Sequence, residues 1–416
     1  MNTNIFTANE SEVRSYCRSF PKVFEKAKGS YIFDEEGVAY LDFFSGAGAL
    51  NYGHNNDYIK KKLIDYIEAD GLAHGLDMYT KAKEEFIESF KNNILVPRDL
   101  DYKIQFTGPT GTNAVEAALK LARKVTGRQN VFALMGAFHG MTLGSLALTT
   151  AAGSRSGAGV PLGNVYHVPA PYMFPDMNVL KFIKTILSDE HSGVEKPAAF
   201  ILETVQAEGG VHVLSTEFLR GVREICDEHG ILLIVDDIQV GCGRTGRFFS
   251  FEDSYIIPDI VTLSKSISGY GLPMAITLIK PELDVWTPGE HNGTFRGNQH
   301  AFVTAKAAIE LFKELDLEYK VESISEGAMA YLRYGLKFMP DVEVRGKGFI
   351  IGIDVKDEEF AKEVASRCFE KGLIIERTGR HSTTLKILPP LVITADELKY
   401  GIDIIIDCIK EANKAR

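Results

Sequence analysis

Cysteine is sparse and unpatterned in this 416-residue chain: Cys17, Cys226, Cys242, Cys368 and Cys408 are odd in number, scattered and never spaced C-x-x-C. That argues against a disulfide framework and a zinc ribbon, no metal site is expected, and a reducing cytoplasm is the simplest compartment. Positive charge is also short. With 46 Lys and Arg against 56 Asp and Glu, a net charge of −10, the chain lacks the basic face that nucleic acid or an anionic membrane requires. No window approaches the roughly 18 apolar residues of a membrane span. The start, MNTNIFTANESEVRSYCRSF, has no apolar run behind basic residues, so no export signal is expected. The Asn292-Gly293-Thr294 sequon therefore reads as a loop. Internal repeats and low-complexity tracts are missing too.

What is present is an ordinary globular composition, 45% hydrophobic and 25% charged, on a chain long enough for one large core and a smaller satellite domain. Short β-branched runs alternate with helical patterns through the middle, the signature of a parallel sheet covered by helices on both faces. Strands are expected over Lys103–Thr107, Val131–Met135, Ala198–Glu203, Ile231–Asp236, Ile260–Leu263 and Ala275–Ile279, with helices over Asn113–Val125 and Glu217–Glu228. Near residue 315 the pattern changes to a long helical stretch, then VEVRGKGFIIGIDV, EEFAKEVASRCFEKG, two strand-like runs and a helix from Ala395. The organisation expected is an N-terminal segment (1–55), a large α/β domain (56–315) and a small α+β domain (316–416). In the first segment FDEEGVAYLDFFSG reads as a hairpin turning at Glu36-Gly37, packed with the C-terminal part.

Gly241-Cys242-Gly243-Arg244-Thr245-Gly246 matches the G-x-G-x-x-G dinucleotide fingerprint, but Asp236-Asp237-Ile238-Gln239 separate it from its strand and Phe248-Phe249-Ser250-Phe251 follow with poor helical character. A glycine-rich loop beside another site is the better reading.

Two strand ends carry more chemistry. ILLIVDDIQ and IVTLSKS place Asp236 and Lys265 where open α/β sheets hold ligands, with a spacing that suggests consecutive βαβ-like positions. A buried lysine amine becomes reactive enough to form an imine with an aldehyde cofactor. A carboxylate facing a pyridine nitrogen keeps it protonated and the ring electron-withdrawing. Alone, Lys265 could be a solvated surface group and Asp236 a turn residue. GPTGTNAVEAALKLAR supplies a third part, small residues Gly108 to Thr112 opening an amphipathic helix whose free N–H groups suit a phosphate. It lacks the P-loop lysine, and by itself could be an ordinary helix start.

Together with GAFHG, ETVQAEGG, GTFRGN and the span from VDDIQVGCGRTG to PDIVTLSKSISGYGLP, in that family's order, these pieces resemble the class III (ornithine-type) aminotransferases of fold type I across nearly the whole chain. The resemblance implies pyridoxal 5'-phosphate as cofactor and a large, mainly parallel-sheet domain with a small α+β domain built from both chain ends. It implies that Lys265 carries the cofactor as a Schiff base and moves the substrate proton. Asp236 would pair with the pyridinium nitrogen, Gln239 sit near the phenolic oxygen, Phe138 stack on the ring, and His139 belong to the same site. Gly111 and Thr112 would hold the phosphate, and Thr294 would reach it from a neighbouring subunit, making a homodimer or higher homo-oligomer part of the site. The partners implied are small-molecule amino and keto acids. SEVRSY, GAGALNYGHNN, DGLAHGLDMYT and EHNGTFRG narrow the likeness to a branch that transfers a terminal amino group. Ornithine- and 4-aminobutyrate-type transaminases are the near alternatives, and aminomutases and racemases use the same cofactor residues.

Two departures from the family pattern matter. Where many members have an arginine before the C-terminal proline pair, this chain reads TLKILPP with Lys386, a point charge that cannot form the bidentate fork. Glu208 resembles the glutamate that masks that arginine, so a Glu208–Lys386 pair is expected to act as the substrate switch. Met141 stands where ornithine-type relatives can carry a carboxylate-binding arginine.

Overall fold

The computed structural model describes residues 4–416; Met1–Thr3, the start of the N-terminal segment, lie outside the described residues. Strands β1 (Phe24–Lys28), β2 (Tyr31–Asp34) and β3 (Ala39–Asp42) form an antiparallel meander. The β2–β3 turn runs through Gly37 at φ +82°, a conformation that favours glycine. The free edge of β3 is taken in parallel by Leu373–Ile374, so the N-terminal meander and the C-terminal part share one sheet.

The large sheet contains β4 (Lys103–Phe106), β5 (Val131–Leu134), β6 (Val165–Val168) and β7 (Ala199–Leu202). A two-stranded ribbon, β8 (Val205–Gln206) and β9 (His212–Val213), precedes its remaining strands, β10 (Leu232–Asp236), β11 (Ile260–Leu263) and β12 (Ile276–Ile279). Their order is β4-β12-β11-β10-β7-β5-β6. All neighbouring pairs are parallel except those of β12, which runs against both β11 and β4. Strands β5, β7, β11 and β12 are buried along their whole length, as expected of a sheet covered on both faces. The helix Gly111–Thr126 covers one face with Val115, Ala118, Leu119 and Ala122, packing on Val131, Ile201 and Ile234. The larger core lies on the other face and runs on into the C-terminal part through Phe302, Phe349, Ile387 and Ile405.

One expectation needs correcting. The connection from Asp236 to Ile260 is not a βαβ crossover: it is a turn-rich loop whose only helical piece among the described residues is one 3-10 turn, Glu252–Ser254. The sheet is mainly parallel, as expected, with β12 running against its neighbours and β6 joining as an edge strand that was not anticipated.

The helix Gln299–Glu314 ends before Asp316, left-handed at φ 43°, and Leu317–Gly335 starts anew. Beyond it β13 (Glu343–Lys347), β14 (Ile350–Asp354), β15 (Leu373–Ile374), β16 (Glu376–Thr378) and β17 (Thr384–Ile387) complete the strands, with β13-β14-β17-β16 as an antiparallel sheet. The helices Glu358–Glu370 and Ala395–Lys414 flank it, the latter opened by a Thr394/Glu397 capping box.

The glycine-rich loop serves as a clamp between these parts. Arg244 is fully buried and donates to Phe349 O at 3.1 Å, to Pro389 O and to Asn51 Oδ1 at 2.5 Å, joining N-terminal, central and C-terminal segments. Burial lowers its pKa to about 9, partly opposed by Asp42. Arg244→Ala strands three buried acceptors and opens a cavity, so a loss of about 3 kcal/mol or more is expected. Denaturant unfolding of the purified variant measures it.

Candidate active site

The carboxyl ends of β7, β10 and β11 converge on a cavity of about 180 Å³. Eight of the ten residues singled out from the sequence line it: Gly111, Thr112, Phe138, His139, Glu208, Asp236, Gln239 and Lys265. Lys386 lies directly behind Glu208, which it contacts. Thr294 does not line this cavity; it sits on an exposed segment of the same chain.

Lys265 follows β11 with Ser264 and Ser266 as its fixings. Ser264 Oγ donates to Met274 O at 2.8 Å and Ser266 Oγ to Gly48 O at 2.5 Å. The lysine itself is held at φ +49°, in the left-handed region, a strained backbone of the kind that collects at functional sites. Its amine opens on the cavity and is otherwise walled in. Burial lowers its pKa, opposed by Glu208 and reinforced by Lys386, which favours a nucleophilic amine.

Asp236 ends β10. Its Oδ2 lies 2.7 Å from His139 Nδ1, and its Oδ1 accepts from Thr262 Oγ1 at 3.1 Å and Ile238 N at 3.2 Å. Burial alone would lower the His139 pKa, but the hydrogen bond and charge of Asp236 outweigh it, and the pKa is raised. The carboxylate thus fixes the imidazole against the end of β10. His139 Nε2 is buried with no hydrogen-bond partner among the described residues.

At the far side the helix Gly111–Thr126 begins. Thr110, its N-cap, gives no side-chain cap, so the first amides are left for a ligand. Thr112 Oγ1 is fixed by Thr142 Oγ1 at 2.7 Å and Ser145 Oγ at 2.5 Å. Gly140 lies so close that a Cβ there would come within 2.5 Å of Thr112 Oγ1, which keeps the cradle open only for glycine.

Sequence reasoning passed over Glu203, although a carboxylate closing an otherwise apolar strand is a visible signal. It lines the cavity and accepts from Phe138 N at 3.1 Å. Burial pushes its pKa up to about 8, with His139 pulling it partly back. A folded pKa above the unfolded one gives stability that is full below the unfolded value and is lost as pH rises through the folded one. The apoenzyme should therefore lose stability between about pH 5 and 8, and Glu203→Gln should flatten that part of a melting-temperature profile.

The cavity joins a walled-in amine, a carboxylate backed by imidazole and a helix terminus open to an anion. These are the donors an aldehyde-bearing pyridine phosphate requires, and the residues fit that group. Among the described residues no group of three His, Cys, Asp or Glu is placed to hold a metal ion.

Residues 14–409 match the family model described as aminotransferase class-III, and the chain belongs to that family, whose members are pyridoxal 5'-phosphate enzymes. More specifically, it is 54% identical to a diaminobutyrate–2-oxoglutarate transaminase of Streptomyces coelicolor over 98% of each chain. It is 53% identical to the Vibrio cholerae protein of the same name over 97% of this chain and 98% of that one. Among solved structures, a Bacillus anthracis aminotransferase superposes with a TM-score of 0.88 at 25% identity, covering 99% of both chains. The ornithine aminotransferase of Toxoplasma gondii gives 0.86 at 25% identity, over 99% of this chain and 95% of that one.

Proposed function

We propose that this aminotransferase interconverts L-2,4-diaminobutyrate plus 2-oxoglutarate with L-aspartate 4-semialdehyde plus L-glutamate, the first committed step of ectoine biosynthesis. The full-length identity of 54% to a relative named for that donor and acceptor carries the reading.

The cofactor, held at rest by Lys265, would supply an electron sink that stabilises negative charge on the substrate carbon. The protein's own residues do the rest. Once the substrate's amine has displaced it from the cofactor, the freed Lys265 Nζ would take the proton from the carbon bearing the reacting amine and return one later. Asp236, hydrogen-bonded to His139, would face the ring nitrogen; Gln239 and Phe138 would orient the ring; Gly111 and Thr112 would hold the phosphate.

Lys386 is the substrate's selector. Its Nζ donates to Glu208 Oε1 at 2.6 Å and Gln239 Oε1 at 3.3 Å. While Glu208 covers it, the pocket accepts an ω-amine; when Glu208 turns aside, Lys386 is free to take the carboxylate beside glutamate's amine.

A homodimer or higher homo-oligomer, in the cytoplasm, completes the site by placing Thr294 at the partner's phosphate. The segment bearing Thr294 packs on residues 72–79 through the His74–Phe295 ring contact and the Arg296–Asp77 ion pair. Together they expose Leu72, Leu76, Met78, Tyr79 and Phe295, an apolar face suited to a second copy. A larger hollow of about 840 Å³ beside them, lined by Ile104, Phe106 and Trp286, gathers no comparable chemistry and belongs with that surface.

Stoichiometry tests the reaction class. Semialdehyde formation should stop after one equivalent per site without 2-oxoglutarate and resume on its addition. Amino-group migration within one substrate with no keto acid present would mark a mutase.

A further inference from the structure

Lys386 has a second carboxylate neighbour that the switch does not use. Glu376 Oε2 lies 3.0 Å from its Nζ, yet that oxygen is buried and receives no hydrogen bond among the described residues. The contact is built into the sheet: Glu376 and Lys386 are direct partners on the antiparallel strands β16 and β17, so their side chains leave the same face. Glu208, by contrast, stands on the loop between β8 and β9, held by Thr378 Oγ1 at 3.2 Å and Gln239 Nε2 at 3.3 Å. One acceptor is fixed and one can leave.

An ammonium has three donors, and two are spent on Glu208 and Gln239. When Glu208 departs, a fully buried lysine with no carboxylate beside it would lose its proton and its reason to stay. We infer that Glu376 is a positioning residue for the glutamate half-reaction, holding Lys386 in place and charged while Glu208 gives way to the substrate's carboxylate.

The groups that face Lys386 are Glu208, Glu376 and Gln239, with Lys265 across the cavity; behind Glu376, Tyr16 donates to its Oε1 at 3.3 Å. Burial would lower the Lys386 pKa, and Glu208 and Glu376 together raise it. This arrangement also explains why a lysine serves where a fork-shaped guanidinium would be expected. A compact ammonium can turn between two carboxylates without giving up its place.

The inference rests on the Glu208–Lys386 switch proposed above. Its test follows the holoenzyme's absorption change in single turnovers with glutamate, and separately with diaminobutyrate, from neutral to alkaline pH. Glu376→Gln should weaken glutamate saturation about tenfold and add an alkaline fall-off where the parent enzyme stays level, with the diaminobutyrate half-reaction little changed. Glu376→Asp, which keeps the charge, should keep the level profile. In Glu208→Gln, which leaves Glu376 in place, the alkaline profile should also stay level; a fall-off there overturns the inference even if Glu376→Gln does not fold. Equal loss of both half-reactions without a pH effect, or unaltered glutamate saturation, also overturns it. A parent enzyme inert toward diaminobutyrate would remove the donor assignment and leave the glutamate comparison to decide this one.

Discussion

Lys265→Ala is expected to lower turnover about 10⁴-fold, the upper end of what one positioned proton-transfer group contributes, and to abolish the holoenzyme's visible absorption band. The two effects have separate origins: the band depends on the amine that carries the cofactor, the rate also on the amine that moves the proton. Added primary amines should restore part of the rate, because a free amine can move the proton, but not the protein-linked band. The protein should still fold, since Lys265 makes no ion pair among the described residues and the turn is held by Ser264 and Ser266. Retained turnover in the purified variant would remove the chemistry proposed for this site.

Lys386→Met is expected to give the second largest effect, and an asymmetric one. Removing one partner of a buried, hydrogen-bonded charge pair costs about 2–5 kcal/mol, so the glutamate half-reaction should slow by about 30- to 4,000-fold. The diaminobutyrate half-reaction, in which Glu208 covers the lysine, should slow far less. The variant also leaves Glu208 and Glu376 buried without their cation. Burial already raises the Glu376 pKa, and Glu208, which Lys386 and Lys265 hold below its usual value, would rise as well. Folded pKa values raised in this way make stability fall as pH climbs through them. Melting curves of Lys386→Met should therefore drop more steeply toward neutral pH than the parent's, whose own fall comes from Glu203. A glutamate half-reaction untouched by the substitution would discard the switch.

How far the sequence carried these conclusions follows from which interactions are local. Strands β7, β10 and β11 read as apolar runs because both faces are covered, and the first polar residue after each run, Glu203, Asp236 or Ser264-Lys265, marks the carboxyl end where the cavity lies. The helix start at Gly111 is equally local. Strand β6 escaped notice because VYHV lies at the sheet edge, where Tyr166 is exposed and the apolar run is broken. The direction of β12 left no mark either, since ITLI is as apolar read one way as the other.

What stayed hidden depends on distant chain. Arg244 lies inside the glycine-rich loop that matched the nucleotide fingerprint, and its acceptors come from distant Asn51, Phe349 and Pro389. Glu376 became visible only once the β16–β17 register set it opposite Lys386. Thr294 belongs to a surface whose purpose a single chain does not display.

The most direct test of the substrate assignment is a steady-state comparison of 2,4-diaminobutyrate, ornithine, 4-aminobutyrate and lysine as donors to 2-oxoglutarate. Diaminobutyrate should give the highest kcat/KM by at least about tenfold, the discrimination that one methylene in a fitted pocket supplies. A clear preference for ornithine or 4-aminobutyrate would contradict the assignment while leaving Lys265 and Asp236 in their roles.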